Sequence, residues 1–339
     1  MNIKKGIRLE EVTLMRCILA ILIVFVHSFT CYNDSWREPE GFIDVPLYRW
    51  LTRITFAFAL EGFVLISGYL FAYQRIILNK SGSILKKLKR LLLPSIVFST
   101  AYFVIFYQYE GLGDMLYDII NGCGHMWYLP MLFWCFVGAT LLERIPVKDT
   151  YKMLLLLGIY LLPKISLPLQ LTSAMSYMLY FYAGYILFKY RFLKISIRPW
   201  HLLLGWVLFA LIFAIFRPLQ DILICDPSSS ILDKVILITC NRISQLLFSS
   251  IGVGVFYCTA VYYVNKYELK PFTIKLSSVC FGIYILQQFI LQVLYYKTSF
   301  PRVVGPYWLP WLGFITTIVL SYLLSTLMIR TRCGKFLIG

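Results

Sequence analysis

The first long apolar segment carries two side chains whose types and spacing suit chemistry. Arg16 and His27 are eleven residues apart in the run RCILAILIVFVH. In an α-helix this spacing places both on one face, separated by about 16 Å along the axis. An ionisable group in a membrane-spanning segment costs about 2.5–3.5 kcal/mol and marks a functional site by default. The pattern favours an anion-binding guanidinium and a reactive imidazole, whereas snorkelling of Arg16 and a packing role for His27 are the structural alternatives.

A carboxyl group lies in the second apolar segment, at Glu61 in ALEGFVLISGYLF. Counted from the cytoplasmic end of that segment, Glu61 is about 20 Å up the helix and close to the predicted depth of His27. A carboxylate beside an imidazole raises its basicity and selects its tautomer, as a general base requires. Glu61 is therefore predicted to orient His27, and a structural ion pair with Arg16 is the alternative. Ser67 and the glycine after it would allow close helix packing.

A second histidine, His125, opens HMWYLPMLF after the glycine-rich turn NGCG. It falls at the predicted external end of the fourth segment, near the depth of His27. An interfacial histidine is the structural alternative to a functional one. Basic residues are concentrated from Lys80 to Arg90, in KSGSILKKLKRLLLP. This predicted cytoplasmic patch suits lipid headgroups or a phosphorylated cofactor, and the basic bias of cytoplasmic loops explains it equally well.

The cysteines do not show metal-site spacing. The chain has nine of them, without a Cys-x-x-Cys or a Cys/His cluster of zinc type, so no metal site is predicted. Cys31, Cys123 and Cys225 fall near the predicted external face, where a disulfide is one option.

Helices in a membrane must position these groups, because the composition excludes a soluble globule. Of the 339 residues, 60% are hydrophobic and 14% charged, against roughly 45–50% and about 25% in soluble domains. Disorder, coiled coils and small disulfide scaffolds are excluded by the same figures. The chain is predicted to be an all-α integral membrane protein of about ten transmembrane helices. The predicted spans are 12–32, 50–73, 91–108, 126–142, 151–168, 172–188, 201–216, 243–264, 277–296 and 308–329.

The distribution of charge predicts the orientation of these helices. The net charge of +16 would suit nucleic acid, but 22 of the 32 basic residues fall in segments that are cytoplasmic when both termini are inside. The N- and C-termini are therefore predicted to be cytoplasmic, with membrane lipids and not nucleic acid as partners. A single polytopic domain over residues 1–339 is predicted, without an appended soluble domain. The longest loop, about 217–242, is too short to fold alone.

Five motifs in order resemble acyltransferase family 3, the membrane-bound O-acyltransferases that modify sugars of bacterial envelopes. They are Arg16-x10-His27, Glu61 six residues before Ser67-Gly68, the basic loop running into RLLLP, HMWYLP, and FGIYIL. Together they cover nearly the whole chain. The resemblance implies a multi-pass protein of the inner (plasma) membrane that takes acetyl or another acyl group from cytoplasmic acyl-CoA. The acceptor it implies is a hydroxyl of an envelope glycan or lipid-linked sugar.

The same resemblance assigns roles to residues. It implies that His27 and Arg16 are essential, with His27 as general base or transient acyl carrier. The CoA phosphates would lie against Arg16, Lys87 and Arg90, and His125 would position the acceptor.

Two departures from the family pattern bear on these roles. The family often has Arg-x-x-Arg where this chain has Lys87-x-x-Arg90, which loses bidentate phosphate geometry at one end. The family commonly reads Tyr-Leu-Leu-His where this chain has Tyr284-Ile-Leu-Gln287. Tyr284 is then a candidate for lining or packing the site, and the role of the family's histidine does not carry over.

A proton-coupled transporter or flippase for a lipid-linked or anionic substrate is the alternative function. Buried arginine, histidine and glutamate suit such a carrier as well. The sequence contains no inverted repeat, which favours the enzyme. It does not indicate the oligomeric state, the acceptor or the acyl chain.

Overall fold

The computed structural model describes residues 9–33, 35–79, 84–107, 111–162, 166–190, 197–222 and 231–339. Within these ranges every regular element is a helix, which confirms the all-α prediction. The α-helices are α1 (Glu10–Ser28), α2 (Pro46–Phe56), α3 (Ala59–Ile76), α4 (Ile84–Lys87), α5 (Leu93–Phe106), α6 (Leu112–Asn121), α7 (Tyr128–Leu142), α8 (Asp149–Leu161), α9 (Leu171–Tyr190), α10 (Pro199–Ile222), α11 (Ile231–Lys266), α12 (Pro271–Tyr296), α13 (Phe300–Val304), α14 (Leu309–Met328) and α15 (Arg332–Ile338). Short 3-10 turns occupy Thr30–Asn33 and Gly124–Trp127.

Eight helical segments of the described chain are long and apolar enough to cross a bilayer. They are Glu10–Ser28, Pro46–Ile76, Ile84–Phe106, Gly124–Leu142, Pro199–Phe216, Val235–Lys266, Pro271–Tyr296 and Leu309–Met328. This finding supports a multi-pass membrane protein, but it does not confirm the predicted count of ten. The two predicted spans without a counterpart correspond to α8 and α9. Helix α8 has 13 residues, about 20 Å, against a hydrocarbon core of about 30 Å, and the many hydroxyl side chains of α9 lower its mean hydropathy.

The predicted long loop at 217–242 is wrong over most of its length. Helix α10 continues to Ile222, and α11 begins at Ile231 and runs for 36 residues. No proline or glycine occurs between residues 231 and 251 to end that helix. Polar residues in this stretch mark the end of an apolar run, but they do not prevent the helix from continuing.

The described part of the basic segment, residues 84–90, lies on a helix. Residues Leu88–Leu92 form a π turn between α4 and α5, in which the backbone N–H of Leu93 donates to the carbonyl of Leu88. Pro94 is the second residue after this turn; it has no N–H to donate, and its ring crowds the preceding turn. The wider π turn accommodates the proline, and such turns are frequent at functional sites. Lys80, where the predicted patch starts, lies outside the described residues.

The chain forms two compact units of non-contiguous segments. Unit 1 comprises Met1–Val12, Leu60–Ser83 and Trp134–Glu268, and unit 2 comprises Thr13–Ala59, Ile84–Phe133 and Leu269–Gly339. The single polytopic domain inferred from the sequence stays a prediction.

In unit 1, two glycines bring α3 and α9 into close contact. A Cβ atom on Gly68 would overlap the backbone carbonyl of Phe181, and one on Gly184 would overlap that of Leu65. The two clashes are reciprocal, so each helix lies directly against the backbone of the other. Small residues at a crossing allow this approach in membrane proteins.

Also in unit 1, the end of α7, the start of α8 and the end of α9 meet in a network of charges. Glu143 accepts hydrogen bonds from the hydroxyls of Tyr182 and Tyr185, both at 2.6 Å. Asp149 accepts from Lys189 at 2.7 Å. Burial raises the pKa of the Glu143 carboxyl, but the two tyrosine hydrogen bonds and nearby lysines outweigh it and leave the pKa below its usual range. The network ties three helix ends to one another.

Unit 2 holds the C-terminal end of α1 with aromatic side chains. Tyr295 on α12 donates to the backbone carbonyl of Ser28 at 2.7 Å. Tyr48 on α2 donates to the carbonyl of Tyr307 at 2.8 Å and accepts from the Trp311 indole at 3.1 Å. The ring of Phe29 lies against Tyr48 and Trp311. These contacts hold the last turn of α1, where His27 lies.

Candidate functional site

Helix α12 runs beside α1 in the same direction and organises the site in unit 2. The N-terminal half of α1 contacts the N-terminal half of α12, and the C-terminal end of α1 contacts the C-terminal half of α12. From the N-terminal end these contacts are Cys17 with Thr273, Arg16 with Cys280, His27 with Gln287, and Ser28 with Tyr295. Parallel packing therefore places one face of α1 against α12 from the arginine to the histidine.

His27 is held through one ring nitrogen. Its Nδ1 lies 2.9 Å from Oε1 and 2.7 Å from Nε2 of Gln287. Gln287 is fully buried, whereas His27 keeps some accessible surface although its neighbours Val26 and Ser28 are buried. Among the described residues, Gln287 is the hydrogen-bond partner of this ring, and Nε2 has no such partner.

His125 is attached to the same stretch of α12. Its backbone N–H donates to Oε1 of Gln288 at 3.2 Å, and its Nε2 lies 3.0 Å from the carbonyl of Ile285. The hydroxyl of Tyr284 donates to the His125 carbonyl. Tyr284, predicted to line or pack the site, thus holds the backbone of His125.

These contacts determine the tautomer of His125. A carbonyl only accepts, so the proton of the neutral ring is on Nε2 and a lone pair is on Nδ1. This Nδ1 is buried and has no hydrogen-bond partner among the described residues. The ring centroids of His27 and His125 are 6.2 Å apart. A second basic nitrogen is therefore available beside His27 for a polar group of a ligand.

The turn before His125 requires its glycines. Gly122 and Gly124 have φ values of +91° and +56°, a region that glycine enters without steric cost. A Cβ atom on Gly122 would also overlap the backbone at Trp127. The N–H of Cys123 donates to Oγ of Ser99 at 3.1 Å, which ties the turn to α5. The sequence NGCG thus sets the direction in which His125 enters the site.

Arg16, Lys87 and Arg90 form a cluster of positive charge in unit 2. Arg90 lies close enough to both other residues to interact with them electrostatically. Neither Arg16 nor Arg90 has a carboxylate partner in the part of the chain that the structure describes. A like-charge cluster of this kind repels itself until an anion binds. The structure thus brings together the three residues that the sequence assigned to phosphate binding.

Glu61 and Ser67 lie in unit 1. Glu61 is buried and hydrogen-bonds to Gln245, while its Oε2 has no partner among the described residues. Its predicted action on His27 stays a prediction. Ser67 donates to the carbonyl of Phe63, one turn earlier, at 2.8 Å. Its hydroxyl is therefore used within α3, and the adjacent glycine makes the close helix contact.

The cysteines predicted near the external face are not paired where the structure describes them. Cys31 and Cys123 are free thiols, and Cys225 lies outside the described residues. Within the described ranges no group of three or more His, Cys, Asp or Glu side chains is placed to hold a metal ion.

The paired glutamines Gln287 and Gln288 had no role predicted from the sequence. Gln287 entered only as a departure from the family motif, and Gln288 did not enter at all. The sequence nevertheless contained a signal for these two residues, because adjacent amides in a long apolar helix must find hydrogen-bond partners when they are buried. Each of them contacts one of the two histidines.

Comparison with known proteins shows the family of the chain. Residues 9–330 match the model of acyltransferase family 3, described as an acyltransferase domain. Searches among curated proteins and among solved structures gave no significant match. The matched range contains both histidines, the three cations and Glu61.

Proposed function

Because the chain belongs to acyltransferase family 3, we propose that it is an O-acetyltransferase of the inner membrane. It would move the acetyl group of cytoplasmic acetyl-CoA to a hydroxyl of an envelope glycan or a lipid-linked sugar. One observation carries the proposal. Helix α1 connects a cation cluster at Arg16, near its N-terminal end, with a pair of histidines at His27, near its C-terminal end. The eleven-residue spacing separates them by about 16 Å, which suits a donor whose phosphates and thioester are at opposite ends.

The cations would bind the donor. Arg16 and Arg90 lack carboxylate partners among the described residues, so the CoA phosphates would supply the missing charge. Arginine presents a planar fork of donors that matches phosphate oxygens in pairs, whereas Lys87 acts as a point charge. The basic segment alone would also attract lipid headgroups, and the addition of Arg16 from α1 distinguishes a specific site from a surface patch.

His27 would act as the general base. Nε2 accepts the proton of the acceptor hydroxyl while the hydroxyl oxygen attacks the thioester carbonyl carbon. A C–O bond forms and the C–S bond breaks. The imidazolium then returns its proton to the departing CoA thiolate, so His27 ends the cycle neutral. A surrounding wall of helices limits the competing attack of water on the thioester.

His125 would hold the acceptor. Its Nδ1 is a buried hydrogen-bond acceptor without a partner among the described residues, and burying a polar atom in that state costs free energy. A sugar hydroxyl that donates to Nδ1 would offset this cost and place a neighbouring hydroxyl near His27. Glu61 keeps the role that its sequence position predicts, a carboxyl group that orients His27.

An acyl-transfer assay tests the proposal. Purified protein is incubated with radiolabelled acetyl-CoA and the envelope glycan fraction of a strain that lacks the protein. We expect base-labile label on the glycan, and a loss of at least about 10²-fold in the His27→Ala variant, the lower bound for general acid–base catalysis. His201→Ala is the matched control, because His201 is exposed at the start of α10. Full transfer by His27→Ala would refute the assigned base.

The same assay separates the enzyme from the carrier. Acyl transfer in detergent, without vesicles, requires catalysis. Movement of a lipid-linked or anionic substrate across vesicles without a covalent product would instead show the transporter or flippase.

A further inference from the structure

Gln287 occupies the position where the family commonly has a histidine, and it contacts the proposed base directly. We propose that the Gln287 carboxamide is a positioning residue that holds His27 in its Nδ1–H tautomer and leaves the lone pair on Nε2. The inference rests on the proposed function, because it concerns the state in which His27 accepts a proton. It adds a residue that the family resemblance left without a role in this chain.

The geometry allows two orientations of the amide. Both Oε1 and Nε2 of Gln287 lie within hydrogen-bond distance of His27 Nδ1. With Oε1 turned to the ring, the amide accepts from Nδ1–H and Nε2 is basic. With Gln287 Nε2 turned to the ring, the amide donates to His27 Nδ1. The proton of the neutral ring is then on His27 Nε2, and this nitrogen can no longer accept a proton from a substrate.

Only the first orientation suits both states of a catalytic cycle. When His27 takes up a proton, both ring nitrogens become donors. The amide oxygen still accepts from Nδ1–H in that state, whereas an amide N–H would then point at a ring N–H. Because the ring must alternate between neutral and protonated forms, the Oε1 orientation is the one that catalysis selects.

Burial keeps the Gln287 amide hydrogen-bonded to His27. Gln287 is 0% exposed, and its hydrogen bonds among the described residues are those to His27. A buried amide without a partner is costly, so the side chain has no better alternative than the imidazole. The parallel packing of α12 against α1 sets the distance between the Gln287 amide and the His27 ring.

A neutral partner has a consequence for the pH dependence of the reaction. Unlike a histidine or a carboxylate, a carboxamide does not titrate between pH 4 and 10. Among the described residues of unit 2, the titratable group that faces His27 is His125, whose Nε2 proton is bound by the Ile285 carbonyl. Phe56 also faces the ring and carries no charge. The acid limb of the pH profile should therefore report histidine ionisation alone, that of His27 and that of His125 at Nδ1, with no contribution from residue 287.

Two substitutions test the inference through kinetics. Gln287→Met keeps the length of the side chain but removes the acceptor, and we expect kcat to fall at least tenfold with the KM for acetyl-CoA unchanged. Gln287→Glu keeps an acceptor and adds charge, and we expect it to retain more activity than Gln287→Met. Its carboxylate would stabilise the imidazolium, so the acid limb should move to higher pH. The assay uses acetyl-CoA and the glycan fraction named above.

A spectroscopic measurement tests the tautomer itself. The chain contains only three histidines, so labelling with nitrogen-15 histidine gives three imidazoles, and His27→Ala assigns one of them. We expect the Nδ1–H pattern for His27 in the unaltered protein and a mixture of tautomers, or the Nε2–H form, in Gln287→Met.

The outcomes separate this inference from the proposed function. If His27→Ala is inactive but Gln287→Met keeps full kcat, an unchanged pH profile and the Nδ1–H pattern, only the inference is overturned. A loss of yield and a rise in KM for both substrates, with the pH profile unmoved, would show a structural role and overturn it as well. If His27→Ala is fully active, the proposed function fails whatever Gln287 does.

Discussion

The two histidines differ in how many contacts hold them. His125 is buried and held by Tyr284, Ile285 and Gln288 of α12. His27 contacts one amide and keeps accessible surface. This asymmetry matches the proposed roles, because an acceptor-binding group must be rigid, whereas a base must be reached by the reacting hydroxyl and must change its protonation state.

The donor site gives a prediction at the level of one residue. Replacing Arg16 by Gln removes a cation from the cluster with Lys87 and Arg90. A charge-assisted hydrogen bond contributes about 1.5–3 kcal/mol, so we expect the KM for acetyl-CoA to rise about 10- to 150-fold. Because this interaction binds donor and transition state alike, kcat should change less. Arg16→Lys should recover only part of the loss, since lysine lacks the planar fork.

The control for Arg16→Gln is Arg75→Gln, measured by the same donor titration. Arg75 lies at the end of α3 in unit 1, with its guanidinium over the ring of Phe71. It is basic and predicted to be cytoplasmic, but it does not belong to the cluster. A rise in KM of equal size in both variants would indicate a general electrostatic effect and not a phosphate site.

At the scale of helices, each site residue depends on how one element approaches another. The parallel contact of α1 with α12 places Gln287 at His27, and the Gly122–Gly124 turn directs His125 toward the same stretch of α12. In unit 1, the reciprocal glycine contact sets the position of α3 against α9. Backbone-to-backbone contact leaves little space for adjustment, so the position of Glu61, at the start of α3, depends on two glycines.

We therefore expect Gly68→Ala and Gly184→Ala to destabilise unit 1. Each added methyl group would overlap a carbonyl on the facing helix, and overpacking of this kind costs about 1–3 kcal/mol. The matched control is Gly158→Ala in α8, where a Cβ atom meets nothing within 4 Å. Alanine at that helical position should be neutral or stabilising by up to about 1 kcal/mol. Thermal unfolding in detergent measures all three, and an equal Tm for Gly68→Ala and Gly158→Ala would contradict the close crossing.

At the scale of the whole molecule, the eight candidate spans permit the same orientation as the ten predicted from the sequence, and that orientation stays a prediction. The ends of α7 and α9 and the start of α8 meet in one charged network. The chain therefore enters α8 and leaves α9 at the same depth, whether or not these two helices cross the bilayer. Removing such a hairpin from the count does not change which side later helices face, so the basic-inside alternation remains consistent.

Single cysteines test this orientation. In a variant without other cysteines, Cys333 reports the C-terminal segment and Ser35→Cys reports the segment after α1, and both positions are exposed. We expect a membrane-impermeant maleimide to label Ser35→Cys in intact cells and Cys333 only after permeabilisation. Labelling of Cys333 in intact cells would contradict cytoplasmic termini.

Much of the candidate site was predictable because its signals are local. Arg16, His27 and Glu61 stand out, since a charge in an apolar run is costly wherever the helix lies. The glycines of NGCG predict a turn for the same kind of reason. The extent of α11 was not predictable, because polar residues that mark the edge of an apolar run do not break a helix that lacks proline and glycine.

The sequence by itself determined the helical membrane class, the family and the identity of the ionisable groups, because composition, segment length and motif order are properties of neighbouring residues. Only the tertiary structure decided which nitrogen of each imidazole is bound and which helix supplies the partner. Gln287 is 260 residues from His27 along the chain, and Ile285 is 160 residues from His125. Contacts at that separation follow from how α12 packs against the rest of unit 2, and no local pattern encodes them.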